Sequence, residues 1–96
     1  MNILITYDVD TTTKEGARRL RRVAKACVDY GQRVQNSVFE CELSEAQLCL
    51  LRNRINEVID RMNDSVRIYH LNHKNARSVE VLGKETSYNV SDAIII

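Results

Sequence analysis

The sequence predicts an α+β fold in which two amphipathic helices cover one face of an antiparallel sheet. Three observations carry that reading. The chain opens on a strand-like run, Ile3-Leu4-Ile5-Thr6-Tyr7-Asp8-Val9-Asp10, rich in apolar, aromatic and β-branched residues. Two later segments repeat apolar residues at three- and four-residue steps, each behind a Ser/Thr-x-x-Glu/Gln cap signal. The remaining segments are short and β-rich, and polar or glycine-containing turns separate them.

The totals set the frame. With 96 residues the chain makes one domain, whose modest core would gain from oligomerisation. Hydrophobic residues are 44 % and charged residues 28 %, ordinary for a globular domain. No apolar run is long enough to span a membrane, and the N-terminus lacks the order of a signal peptide. The 3 cysteines, Cys27, Cys41 and Cys49, are widely spaced, as small buried hydrophobes of a reducing cytosol would be. These features predict a cytoplasmic protein with no membrane partner.

Taken in order, the opening strand starts almost at the N-terminus and is expected to be central. It ends on carboxylates, a position where α/β-type folds keep their chemistry. Asp8 is therefore the leading candidate, against the plainer reading of a turn-initiating Asp. Asp10 is read as the start of a loop, with indirect support of a metal as the alternative. Thr12-Thr13-Lys14-Glu15 predicts a helix capped by Thr12 and running to about Tyr30. Ala17, Leu20, Val23, Ala24, Cys27 and Val28 form its apolar stripe, and Gly31 is expected as a left-handed C-terminal cap.

Gln32 to Leu43 reads as the second strand, apolar enough on both sides to suggest that both faces are covered, one by helices and the other by a second subunit. Ser44-Glu45-Ala46-Gln47 caps a second helix with the stripe Ala46, Leu48, Leu51, Ile55, Val58, Ile59 and Met62. Arg52, Arg54, Glu57, Asp60 and Arg61 form its mixed-charge outer face. Asn63-Asp64-Ser65 is a turn, Val66 to Leu71 a third strand, Asn72 to Arg77 a polar loop and Ser78 to Leu82 a fourth strand ended by Gly83. The terminal Ile94-Ile95-Ile96 predicts a docked short strand. The whole is a β-α-β-β-α-β order plus a tail, the ferredoxin-like split βαβ arrangement. Residues 1–83 are the ferredoxin-like domain and 84–96 a tail or strand for dimer or partner contact.

Net charge is only +1, but its distribution is uneven. Lys14, Arg18, Arg19, Arg21, Arg22 and Lys25 lie close together with Glu15 as the one acid among them. This basic helix, with Arg33 beyond it, is the candidate nucleic-acid surface, against the plainer reading of a solvated face. Few aromatics are free to stack on bases, which favours a duplex held by its backbone. His70 and His73 have the spacing H-x-x-H at a strand end, which is not zinc-helix geometry, and are read as incidental.

Tyr7-Asp8-Val9, the segment Gly16 to Val23, the stretch Tyr30-Gly31-Gln32-Arg33-Val34-Gln35-Asn36-Ser37-Val38-Phe39-Glu40 and Asp64-Ser65-Val66-Arg67-Ile68-Tyr69 together resemble the small CRISPR-associated adaptation protein, the Cas-two family. The resemblance implies a homodimer of ferredoxin-like subunits with facing sheets and C-terminal strands that cross to the partner. It implies work beside the CRISPR integrase subunit on a short DNA duplex in spacer acquisition. It also implies metal-dependent endonuclease activity on RNA or duplex DNA, with Mg2+ as cofactor and Mn2+ as the alternative. Asp8 matches the family's metal and catalytic aspartate, and two-fold symmetry would bring two copies to one ion. Ser37 and Phe39 match positions near the active cleft and the subunit contact; read from the sequence alone, Phe39 fits the core better, and Ser37 either hydrogen-bonds a metal water or phosphate or simply fills space. Tyr88, Lys84 and the final isoleucines would serve dimer or integrase contacts. The second function carried is a non-catalytic DNA-binding adaptor; a toxin-type ribonuclease and a ligand-binding regulatory domain are more remote.

Overall fold

The computed structural model describes residues 1–71 and 79–84. Its elements are β1 (Asn2–Asp8), α1 (Lys14–Val28), β2 (Gly31–Gln35), β3 (Val38–Glu42), α2 (Glu45–Val58), β4 (Ser65–His70) and β5 (Val79–Gly83). They form one antiparallel sheet in the order β2-β3-β1-β4-β5. The ferredoxin-like α+β reading holds, and β1 is the central strand. The expected loop over residues 72–77, the start of the fourth strand at Ser78 and the docked tail lie outside the described residues, as do His73 and Tyr88.

One correction concerns strand count. Gln32 to Leu43 is not one strand but a hairpin, β2 and β3, joined by a turn at Asn36 and Ser37. A two-residue connection is enough to reverse antiparallel strands, and the register slips between Arg33 and Gln35 as the hairpin coils. The hairpin supplies the extra strand that the β-α-β-β-α-β order requires.

The pleat sorts the central strand. Ile3, Ile5 and Tyr7 face the helices and are buried, whereas Leu4, Thr6 and Asp8 face away. Register continues the helix-side face through Cys41 and Phe39 on β3 and through Val66 and Ile68 on β4. Val23, Ala24, Ala26 and Cys27 of α1 and Leu48, Leu51 and Ile55 of α2 close the core. Ala26 joins the core from outside the expected stripe. Three stripe members leave it: Val28 is exposed at the end of α1, Ala46 is exposed in the first turn of α2, and Met62 is 80 % exposed beyond α2.

Both helix starts are capped by side chains. Ser44 and Gln47 make the expected reciprocal box on α2. On α1 the cap falls one residue later than expected. Thr13 accepts from the Gly16 backbone N–H at 3.0 Å, and Thr12 instead turns back on Asp10. Gly31 is not a left-handed cap either, since among the described residues the only positive φ is at Gly83. Its role is close approach: a Cβ there would drive into the Glu40 carbonyl and the Cys41 side chain on β3. We expect Gly31→Ala to destabilise the fold by about 1–3 kcal/mol, read as a lower urea midpoint with an unchanged slope.

Candidate functional site

The end of β1 is where the sequence-derived candidates meet. Asp8 closes the strand, is exposed and stands opposite Ser65 in the β1–β4 register. Among the described residues, no hydrogen bond or ion pair engages its carboxylate. Ser37 lies at the same end, because its carbonyl accepts the Tyr7 backbone N–H at 2.8 Å across the hairpin turn. Asp10 points into its own loop: Oδ1 accepts from Thr12 N at 2.9 Å and Thr12 Oγ1 at 2.6 Å. Those bonds, the hydroxyl first, lower the Asp10 carboxyl below its ordinary range. Gly16 packs so tightly on the Asp10 carbonyl that no side chain fits there, which fixes the loop between β1 and α1.

Phe39 is not in this cleft. It is wholly buried on the helix side, opposite Ile5, with the Arg33 guanidinium 5.6 Å from its ring centroid. Arg33 also donates through Nε and Nη2 to the Asn36 carbonyl, at 2.9 and 2.5 Å, and so braces the hairpin.

Beneath Asp8, on the helix side, lies a polar cluster that the sequence reading missed. Asp64, expected as a turn residue, is completely buried. Its Oδ2 accepts from the Tyr7 hydroxyl at 2.8 Å, from Arg19 Nε at 2.7 Å and from the Asp60 backbone N–H at 3.0 Å. Its Oδ1 accepts from Arg19 Nη2 at 3.2 Å. A buried carboxylate is tolerable when it is paired and hydrogen-bonded in this way. Burial first, and then the Asp64 carboxylate, push the Tyr7 phenol above its ordinary value. The signal in the sequence is the coincidence of Asp64 with a helix arginine and a strand-end tyrosine, which only the fold brings together.

Arg19 therefore leaves the basic surface. Its side chain is one-fifth exposed and its guanidinium is committed to Asp64, a correction to the outward-facing arginine expected. Lys14, Arg18, Arg21 and Arg22 are exposed on α1. Lys25 is exposed too but ion-pairs with Asp29 at 2.9 Å, one helical turn on. Arg21, Arg22 and Lys25 share a shallow groove with Arg54 of α2. Arg54 thus does more than solvate the outer face of its helix; it pairs with Asp29 at 3.1 Å and lies 6.0 Å from the Tyr30 ring centroid.

Cys27 and Cys41 are buried, and burial raises both thiols, Cys27 to about 12, so neither is poised as a nucleophile. Among the described residues no three His, Cys, Asp or Glu side chains gather as a metal cluster. Among the described residues, one chain thus offers an ion the Asp8 carboxylate and, beside it, the buried hydroxyl of Ser65, which has no hydrogen-bond partner among them. These are hard oxygen donors of the kind Mg2+ accepts, but they are too few for a site within a single chain.

The sequence model described as CRISPR associated protein Cas2 matches residues 1–79. The chain belongs to the Cas2 family. It is 48 % identical over 95 residues to a CRISPR-associated endonuclease Cas2 of Halalkalibacterium halodurans, covering 99 % of each chain. It is 44 % identical over 96 residues to a CRISPR-associated endoribonuclease Cas2 of Moorella thermoacetica, covering 100 % of both. The crystal structure of Streptococcus pyogenes Cas2 at pH 6.5 superposes with a TM-score of 0.74 at 53 % identity, over 86 % of this chain and 100 % of that one. The family thus contains proteins named both as endonucleases and as endoribonucleases. Among the described residues of this Cas2 family member, no helix is long and apolar enough to cross a membrane.

Asp64→Ala would strand the Tyr7 hydroxyl, the Arg19 guanidinium and the Asp60 N–H together. A loss of about 3–5 kcal/mol in denaturant unfolding is expected. Tyr7→Phe removes one hydrogen bond and should cost about 1 kcal/mol at neutral pH. Because the folded protein holds the Tyr7 proton more tightly than the unfolded chain does, this contribution is intact below the ordinary phenol value of 10.0 and fades as the pH climbs past it. Alkaline melting curves of Tyr7→Phe should therefore fall less steeply than those of the unmodified protein.

Proposed function

We propose that this chain is a CRISPR adaptation protein that acts as a homodimeric, metal-dependent endonuclease, a phosphodiesterase on RNA or duplex DNA, together with the integrase subunit in spacer acquisition. The observation that carries this reading is the exposed, unengaged Asp8 carboxylate at the end of the central strand, in a chain whose relatives are named nucleases.

The homodimer follows from the chemistry of the site. A single carboxylate holds a divalent ion poorly, and a two-fold axis near the end of β1 would double the donors. The sheet face opposite the helices suits such a contact. Leu4, Thr6, Val38, Tyr69, Val79 and Val81 lie on it, half-buried and largely apolar.

In the dimer, the two Asp8 carboxylates would hold Mg2+, or Mn2+ in its place. The ion supplies charge neutralisation at a phosphate and an activated water for hydrolysis of the diester. The chain's own residues do the rest. The Tyr7–Asp64–Arg19 cluster fixes the strand end that carries Asp8, and the Asp10–Thr12 turn keeps the following loop folded away from it. Ser37 backs the same end through its carbonyl. Lys14, Arg18, Arg21, Arg22 and Lys25, joined by Arg54, present positive charge for phosphates. Arg33 lies outside that set because it braces the hairpin.

The second reading is a non-catalytic DNA-binding adaptor of the integrase complex. It is favoured by the lack of a further metal-binding cluster at Asp8 among the described residues and by a basic groove on the helix side, away from Asp8. Asp8→Ala separates the two readings. Nuclease function predicts loss of Mg2+-dependent cleavage of duplex DNA and single-stranded RNA, with folding and dimerisation intact. A pure adaptor predicts no cleavage by either protein and unchanged support of integration.

The surface assignment has its own test. Replacing Arg18, Arg21 and Arg22 by Ala should flatten the dependence of duplex affinity on salt by roughly one unit of log–log slope for each phosphate no longer neutralised. Arg19→Ala should instead lower the melting temperature first.

A further inference from the structure

We infer that Ser65 is a working member of the Asp8 site, its hydroxyl serving as the hydrogen-bond partner of a water carried by the divalent ion at Asp8. This rests on the reading of Asp8 given above and extends it to a residue on the neighbouring strand. Ser65 is the direct cross-strand partner of Asp8. The pleat that turns Tyr7 and Val66 toward the helices turns Asp8 and Ser65 together onto the open face. Paired residues on one face of antiparallel strands have Cβ atoms about 4.5–5.5 Å apart, a gap that one water can bridge.

The hydroxyl itself supplies the second observation. Ser65 is 5 % exposed, and its Oγ is buried with no hydrogen-bond partner among the described residues. A buried hydroxyl left unsatisfied costs stability, and an alanine would occupy the position without that cost. The neighbouring Tyr7 and Asp64 are already engaged: they bond to one another, and the Asp64 carbonyl accepts from Lys84 N at 2.7 Å. The unpaired hydroxyl therefore stands beside the unengaged carboxylate. Mg2+ and Mn2+ bound through few protein donors keep several waters, and such waters need fixed acceptors to be oriented. A serine hydroxyl beside the carboxylate meets that need.

The test uses the full-length protein and two variants, Ser65→Ala and Asp8→Ala. Mn2+ binding is read by the loss of free-ion EPR signal, and thermal stability is read without metal. Ser65→Ala should melt at the same temperature or higher while binding Mn2+ at least about tenfold more weakly, the usual effect of removing an outer-shell partner. Asp8→Ala should abolish that binding. Unchanged Mn2+ affinity in Ser65→Ala, with binding lost in Asp8→Ala, overturns the role of Ser65 and leaves Asp8 standing. A fall of several degrees in the metal-free melting temperature of Ser65→Ala assigns the hydroxyl to the fold and overturns it as well. Mn2+ binding that survives Asp8→Ala overturns the Asp8 reading, and this one with it.

Discussion

The buried carboxylate of Asp64 is the constraint on which the end of the sheet that carries Asp8 depends. It takes hydrogen bonds from a strand, a helix and a turn at once: Tyr7 on β1, Arg19 on α1 and the Asp60 amide after α2. Its own carbonyl ties in the end of β5 through Lys84. A fully buried charge needs all of these partners, because each donor removed leaves the rest inadequately compensated. The elements around it are therefore held in one relative arrangement. Since Tyr7 must point inward to reach Asp64, the pleat obliges Asp8 to point outward.

That coupling divides the molecule's chemistry between two sides. The helix side carries the exposed arginines and the groove they share with Arg54, and the open sheet side carries the Asp8 carboxylate and half-buried apolar residues. Arg19 shows how the division is maintained. The arginines near it in sequence, Arg18, Arg21 and Arg22, are exposed, but its own position on α1 faces the seam where Asp64 lies, so its charge serves the fold. A cluster of basic residues in sequence is thus an upper bound on the charge a helix offers to a ligand.

Much of the architecture was legible in the sequence because it rests on local periodicity and capping chemistry. The two helices, the central place of the first strand and the turn-forming role of Asp10 all follow from residues within a few positions of one another. The errors came where a tertiary contact decided between local options. Thr12 and Thr13 are equivalent caps by composition, and Asp10 claims the first. Gly31 has the composition of a helix end, but the close approach of β3 is what excludes a side chain there. The hairpin was hidden because Asn36-Ser37 is a weaker turn signal than Asn-Gly. Of the candidate site, the exposed strand-end position of Asp8 was legible. Asp64, Ser65 and Arg54 were not, because each takes its role from residues far away in sequence.

The position of β1 also has a consequence for how the protein is made. The strand that anchors both halves of the sheet is made before either of its partners, Val38–Glu42 on one side and Ser65–His70 on the other. A nascent chain that has reached α1 holds an apolar strand with both edges open and nothing to pair with. The hairpin can cover one edge; the second stays bare until β4 emerges. Synthesis of this small domain therefore leaves one edge of its central apolar strand unpaired until β4 has been made, so the complete sheet forms late.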